Sequence, residues 1–341
     1  MSLSRAYLRS DSSTGRKSAR LNPVRGAQRL LSPNEQHHLW MTQPDFARPY
    51  SGPAFPTSRA LASGVTPGRL RSSDLAAPFS GVRIPAHADL DLRELCRAYR
   101  QRAGDDEFFS HVTAARLWGV PLPLNLQRRV ALDSSVFHPN HPPQTTGVIG
   151  HRISHPVPLR TIAGLPVAPP AETWIQLGSV LRGDDLIVAT DGFLRRKRKL
   201  ATLEELHRAL ADSFRRPGLR SLREALAEAR PDTDSPRETL SRLIITRAGL
   251  PEPVIHFTVY DQDGFFVGTP DLAYEEYKIA MEYEGDGHRT DDRIFQDDIE
   301  RAEIFQDATW RYVRITKDHV DNPPRLVERV RKVLIQRGWK P

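Results

Sequence analysis

The chain has 341 residues and a mass of 38.5 kDa, with 39% hydrophobic and 27% charged residues, enough for two or three domains that each bury a core. No stretch reaches the ~20 apolar residues of a membrane helix, and the first residues carry no apolar secretory core. The single cysteine, Cys96, excludes an internal disulfide framework and an all-cysteine zinc site. The expectation is a cytoplasmic protein without a membrane partner.

The net charge is +7, unevenly spread. Residues 1–40 hold Arg5, Arg9, Arg16, Lys17, Arg20, Arg25 and Arg29 against Asp11 and Glu35, so most of the excess lies in this Ser/Arg-rich stretch. It lacks apolar periodicity and is expected to be a disordered basic tail. Its composition suits a transit peptide or a chain whose true start is Met41, and the second is the expectation. A basic balance usually points to nucleic acid. Here it says little about the folded part.

Residues 41–87 carry two helix starts. Thr57 can cap a short helix that Gly64 breaks, and Thr66-Pro67 restarts a second, proline being tolerated at the first helical position because its missing N–H had no partner anyway. That second helix would carry Arg69 and Arg71, and a strand follows near 81–84. This is the outline of a winged helix-turn-helix, with Arg69 and Arg71 contacting phosphate. The competing reading is a packing subdomain.

Residues 88–233 read as a mainly α, α+β region. Ser110-His111-Val112-Thr113 opens an amphipathic helix that stops at Gly119 and Pro121, 148–157 is a strand, and 174–196 forms apolar helices with Leu177, Val180, Leu181, Leu186, Ile187, Phe193 and Leu194 as core. The basic run 195–199 (Arg-Arg-Lys-Arg-Lys) either forms a solvated helix end or touches phosphate. His138, His141, His151 and His155 have zinc-like spacing. With no cysteine or carboxylate among them, ordinary loop and strand histidines are expected. Asp232-Thr233-Asp234-Ser235-Pro236 is a turn cluster and a domain boundary.

Residues 234–341 are more regular. Ser235 and Glu238 form a capping box for a helix that buries Leu240, Leu243, Ile244 and Ala248 and ends at Gly249. Strands follow at 254–260, 265–274 and 277–284, then a helix over 291–307 striped by Phe295, Ile299, Ala302 and Phe305. A strand over 310–315 and a helix striped by Leu326, Val330, Val333 and Leu334 close the order αβββαβα. Between Asp271 and Glu303 there are twelve acids against four bases. Glu282 and Glu284, two apart at the end of an apolar strand, project from one face, and Asp271 closes the neighbouring strand after Thr269-Pro270. If those strands pair, three carboxylates converge, a strained arrangement that a divalent cation relieves. Oxygen ligands suit Mg2+ or Mn2+.

Pro270-Asp271 and, eleven positions after Asp271, Glu282-Tyr283-Glu284-Gly285 on this frame resemble the PD-(D/E)XK nuclease superfamily. Glu282-Tyr283-Glu284-Gly285-Asp286-Gly287-His288-Arg289, then Asp298-Ile299-Glu300-Arg301 and Trp310-Arg311-Tyr312-Val313-Arg314, are similar to bacterial domains akin to very-short-patch-repair endonucleases. The resemblance covers about 235–340; residues 55–200 loosely resemble AbiEi-type antitoxin regulators.

The resemblance implies a restriction-endonuclease-like αβββαβ core and a metal-dependent DNA endonuclease. Asp271, Glu282 and Glu284 would hold Mg2+ or Mn2+, and RNA would fit the same site. Glu284 stands where the superfamily has lysine and these relatives have aspartate, so no lysine steadies the attacking water. Glu238 matches a metal-supporting helix glutamate, or is only the cap. His288 would serve the leaving group or orient water, or is a turn histidine. Asp298 and Arg301 read as a helix pair, and Arg314 lies near the site or pairs with an acid. The alternative is a non-catalytic DNA-binding regulator whose nuclease domain has degenerated.

Overall fold

A computed structural model describes residues 54–284 and 292–341, without the side chains of 292–299; all lie in the compact unit Tyr50–Pro341. The basic tail, Met41, His288 and the side chains of Phe295, Asp298 and Ile299 are outside the described residues.

Strands β1 (Phe55–Pro56), β2 (Leu75–Ala76) and β3 (Val82–Pro85) pair in the order β1-β3-β2. The helix Thr57–Ala62 leaves β1 directly. The second helix expected from Thr66 is not formed; a single 3-10 turn, Arg69–Arg71, takes its place. Polar side chains compete with the helix there. Thr66 Oγ1 accepts from the Arg69 N–H at 3.2 Å, the Ser72 hydroxyl donates to the Arg69 carbonyl, and the Arg69 guanidinium forks onto Asp74 at 2.8 Å. A helix pair of the winged helix-turn-helix kind is therefore absent from described residues 54–87, and Arg69 is committed to a local ion pair while Arg71 is exposed.

The middle region builds a five-stranded mixed sheet, β6-β5-β4-β8-β7, from β4 (Phe108–Phe109), β5 (Leu132–Phe137), β6 (Val148–Ile153), β7 (Arg160–Ile162) and β8 (Leu165–Val167). Helices His111–Trp118, Pro170–Leu177, Gly183–Leu194, Leu203–Ala211 and Leu219–Glu228 pack beside it around Trp174, Leu177, Leu186, Phe193, Leu206 and Leu222. One contact there tolerates only glycine: Gly218, at φ +83, brings its Cα so near Gly178 that a Cβ would lie 1.7 Å from the Gly178 carbonyl oxygen. Leu243, from the helix Pro236–Arg247, joins this same apolar cluster. That helix is covered on two sides, which is why Thr239, Ser241 and Arg242 are buried along with Leu243 and Ile245 while Leu240 and Ile244 are only partly covered.

The C-terminal region is an α/β domain with the sheet order β14-β13-β12-β9, from β9 (Val254–Ile255), β12 (Leu272–Tyr274), β13 (Ile279–Glu284) and β14 (Arg311–Thr316). β12 runs antiparallel to β9 and β13, and β13 runs parallel to β14 across the helix Asp292–Asp307. Alternation sorts the two faces. Leu272, Ile279 and Met281 pack with Val313 and Ile315 against Ile245, Leu326 and Val330, whereas Ala273 and Ala280 make room for Phe305 on the other face. Glu282 and Glu284 follow Ala280 in that alternation.

The first two predicted strands of this domain are each interrupted. Between β9 and β10 (Val259–Tyr260), His256 adopts φ +47; between β11 (Phe266–Gly268) and β12, Pro270 offers no N–H to a ladder. β10 and β11 pair separately as a hairpin. At the two breaks the His256 N–H donates to the Asp271 carbonyl at 3.1 Å, one step beyond the Ile255–Leu272 pair of β9 and β12, so the register sets these residues side by side.

Candidate metal centre

Glu238 sits in the first turn of the helix Pro236–Arg247 and is 5% exposed. Its own N–H donates to Ser235 Oγ at 3.3 Å, the first half of the predicted box. The second half is altered: Glu238 Oε2 accepts from the Asp234 N–H at 2.9 Å, one residue before the cap. This turns the carboxylate toward the strand breaks.

Asp271 is held by one oxygen, Oδ2, which accepts from the Tyr283 N–H at 2.8 Å. Burial, then the nearby Glu238 charge and, less strongly, Glu282, push its carboxyl up to about 6, against the Tyr283 bond and the His256 ring. The third member is His256. Its side chain is 8% exposed, and Nε2 lies 3.2 Å from Glu238 Oε2 and 3.7 Å from Asp234 Oδ2. Even so, neither ring nitrogen makes a hydrogen bond among the described residues. An imidazole enclosed this way without a hydrogen bond is costly.

One ligand atom from each of Glu238, His256 and Asp271 lies within 4.8 Å of the other two. That spacing approaches twice a metal–ligand bond of about 2.1–2.2 Å. The cage thus combines two carboxylates with one imidazole. Asp234 stands at its edge; burial works to raise its carboxyl, but the bonds and charges of Arg196 and Lys197 outweigh that and hold it below the usual range.

The other predicted carboxylates have different company. Glu282 is clamped by Arg301, whose Nε donates at 2.9 and 2.7 Å to its two oxygens, and it accepts from the Tyr312 hydroxyl at 2.8 Å. Glu284 pairs with Arg314 at 3.1 Å. The structure therefore groups Asp271 with Glu238 and His256, while Glu282 and Glu284 each engage a cation from a neighbouring element. His256 is not marked in the sequence, because it lies inside an apolar run that predicts one continuous strand; a lone histidine between Ile255 and Phe257 is the sign of the break.

The four histidines with zinc-like spacing do not assemble. His138, His141 and His155 are exposed, and His151 instead bonds Asp133 at 3.0 Å and stacks on His111. Among the described residues the Glu238–His256–Asp271 group alone has metal-ligand spacing. No described helix is long and apolar enough to cross a membrane.

No family model matches the chain. Two relatives from Mycobacterium tuberculosis, the uncharacterized proteins MT2308 (strain CDC 1551 / Oshkosh) and Rv2248 (strain ATCC 25618 / H37Rv), are each 28% identical over 178 residues. The match takes in 52% of this chain and 64% of theirs. The crystal structure of RV2827C protein from Mycobacterium tuberculosis is similar over 61% of this chain and 83% of its own, at 16% identity and a TM-score of 0.34, too slight a likeness to assign a fold.

Proposed function

We propose that the C-terminal α/β domain is a restriction-endonuclease-like core and that the chain is a metal-dependent endonuclease acting on DNA. The observation that carries this reading is His256, enclosed without a hydrogen bond at a point where two carboxylates also arrive. Glu238, His256 and Asp271 are the residues that would hold the ion. An imidazole among the ligands suits Mn2+ better than Mg2+, which prefers an all-oxygen shell. When bound, such an ion supplies positive charge for a phosphoryl oxygen and lowers the pKa of a coordinated water.

The protein's own groups prepare that place. Tyr283 fixes one oxygen of Asp271, the Asp234 N–H fixes Glu238, and the left-handed backbone at His256 turns its ring inward. Glu282, held by Arg301 and Tyr312, supports the wall beside Asp271.

A second reading is favoured by one observation: Arg301 and Arg314 already neutralise Glu282 and Glu284. On this reading the protein binds DNA as a regulator without cutting it. Incubation of supercoiled plasmid with Mn2+ or Mg2+ separates the two. Nicking that disappears in Asp271→Ala supports hydrolysis. Nicking equal in wild type and variant would be a contaminant and would overturn it, and tight binding without nicking would favour the regulator.

A further inference from the structure

A cavity of about 370 Å3 opens between the middle region and the start of the helix Pro236–Arg247. Its walls include Arg116, Gly119, Arg195, Asp234 and Thr239. Arg116 points there from the helix His111–Trp118 and donates to the Arg129 carbonyl at 2.6 Å. Arg195 follows the helix Gly183–Leu194 and donates to the Gly119 carbonyl at 3.0 Å. Arg198 completes the group: a Cβ placed on Gly119 would lie 3.8 Å from both Arg195 Nη2 and Arg198 Nη1. Two guanidinium groups thus flank one glycine at the cavity wall.

Among the described residues, none of these three arginines forms an ion pair with a carboxylate; Arg116 and Arg195 donate to main-chain carbonyls. Asp234 is the sole acid lining the cavity, and Arg196 and Lys197 already engage it at 2.7 and 3.4 Å. A solvated helix end would spread such charges into water. Here Arg116 and Arg195 are only partly exposed, and the acids that act on them, Asp133 and Asp234, are already engaged by Arg129 and by Arg196 and Lys197, so the cavity carries a net positive charge.

The cavity also adjoins the candidate centre through one residue. Asp234 lines the cavity, donates its N–H to Glu238, and brings Oδ2 within 3.7 Å of His256 Nε2. We propose that Arg116, Arg195 and Arg198 form the phosphate-holding part of the site, gripping the backbone of the DNA strand presented to Glu238, His256 and Asp271. This rests on the nuclease reading and extends it: the middle region is part of the substrate site, and guanidinium forks suit phosphate oxygens. The basic run 195–199 then has a direction, leading the strand toward Asp234.

The experiment is fluorescence anisotropy of a short fluorescein-labelled DNA duplex with the full chain, in EDTA and over a salt series. Arg198→Glu should weaken binding about tenfold or more and flatten the salt dependence by about one released counterion. Arg223→Glu, an exposed cation on the helix Leu219–Glu228, should bind within about twofold of wild type. Equal affinity and salt slope in wild type and Arg198→Glu would overturn the proposal, as would equal losses in the two variants. Because binding is read without metal, a protein that never cuts DNA sinks the hydrolytic reading while leaving this assignment to be judged on Arg198.

Discussion

Arg301 grips both carboxylate oxygens of Glu282 through its Nε, and the Tyr312 hydroxyl takes Oε2 as well. A carboxylate so engaged is a poor candidate to move onto an ion beside Asp271. Mn2+ affinity should therefore depend unequally on the acids. By titration calorimetry, Glu282→Gln should stay within about threefold of wild type, whereas Asp271→Asn or His256→Ala should lose tenfold or more, the range expected when a ligand or its immediate support is removed. A larger loss in Glu282→Gln than in His256→Ala would restore Glu282 to the ligand set and remove the histidine.

Binding at this centre should also show in stability. An ion that binds only the native chain stabilises it by RT ln(1 + [L]/Kd), about 2.7 kcal/mol at a hundredfold excess over Kd. Thermal melts of wild type should rise with added Mn2+ and fall back with EDTA. His256→Ala should lose the Mn2+ response, whatever its metal-free melting temperature. A metal response surviving in that variant would place the ion elsewhere.

The middle and C-terminal regions are joined by a buried charge pair. Arg242 donates to Asp191 Oδ2 at 3.1 Å, Thr239 donates to the same oxygen at 2.9 Å, and the Arg230 N–H takes Oδ1 at 2.8 Å. Both side chains are almost fully enclosed. Asp191→Ala would leave Arg242 buried beside the exposed Glu252 at 3.8 Å as its remaining carboxylate, and should cost about 3–5 kcal/mol in urea unfolding. Adding Arg242→Met should recover much of that loss, because the cost lies in the uncompensated charge. A double variant no more stable than Asp191→Ala would refute this account.

The C-terminal order of elements was legible because its core repeats at helix and strand periods: Leu326, Val330, Val333 and Leu334, and Ala280 against Ile279 and Met281. The acids at Asp271, Glu282 and Glu284 were visible as residues that an apolar strand does not need. What could not be read was which neighbours claim them. Arg301 and Tyr312 reach Glu282 from 19 and 30 residues away, a matter of tertiary packing that no local spacing encodes. His256 was hidden by the same limit, since its role depends on a left-handed backbone inside an apolar run. The helix expected at Thr66 failed for a local reason, competition from Ser72 and Asp74, which propensity underweights.

His111 gives a pH dependence whose sign follows from its surroundings. Its ring stacks on His151 at 3.6 Å, its Nδ1 meets Ser110 Oγ at 3.0 Å, and Asp133, Arg129 and Arg216 act on it from neighbouring elements. Burial, reinforced by His151, pushes the imidazole down to about 3, with Asp133 opposing. Between that value and the ordinary 6.5, the unfolded chain binds a proton that the folded chain refuses. Stability should climb with pH across this window, by at most about 1.4 kcal/mol per unit from this residue, and level off above it. Asp271 has the opposite sign: its folded carboxyl is raised to about 6, so its contribution is lost as pH rises from about 4 through 6. Urea midpoints are therefore best compared in an Asp271→Asn background, where His111→Gln should flatten the rise between about pH 4.5 and 6.5. An unchanged slope in His111→Gln would mean that the imidazole takes up its proton in the folded chain as readily as in the unfolded one.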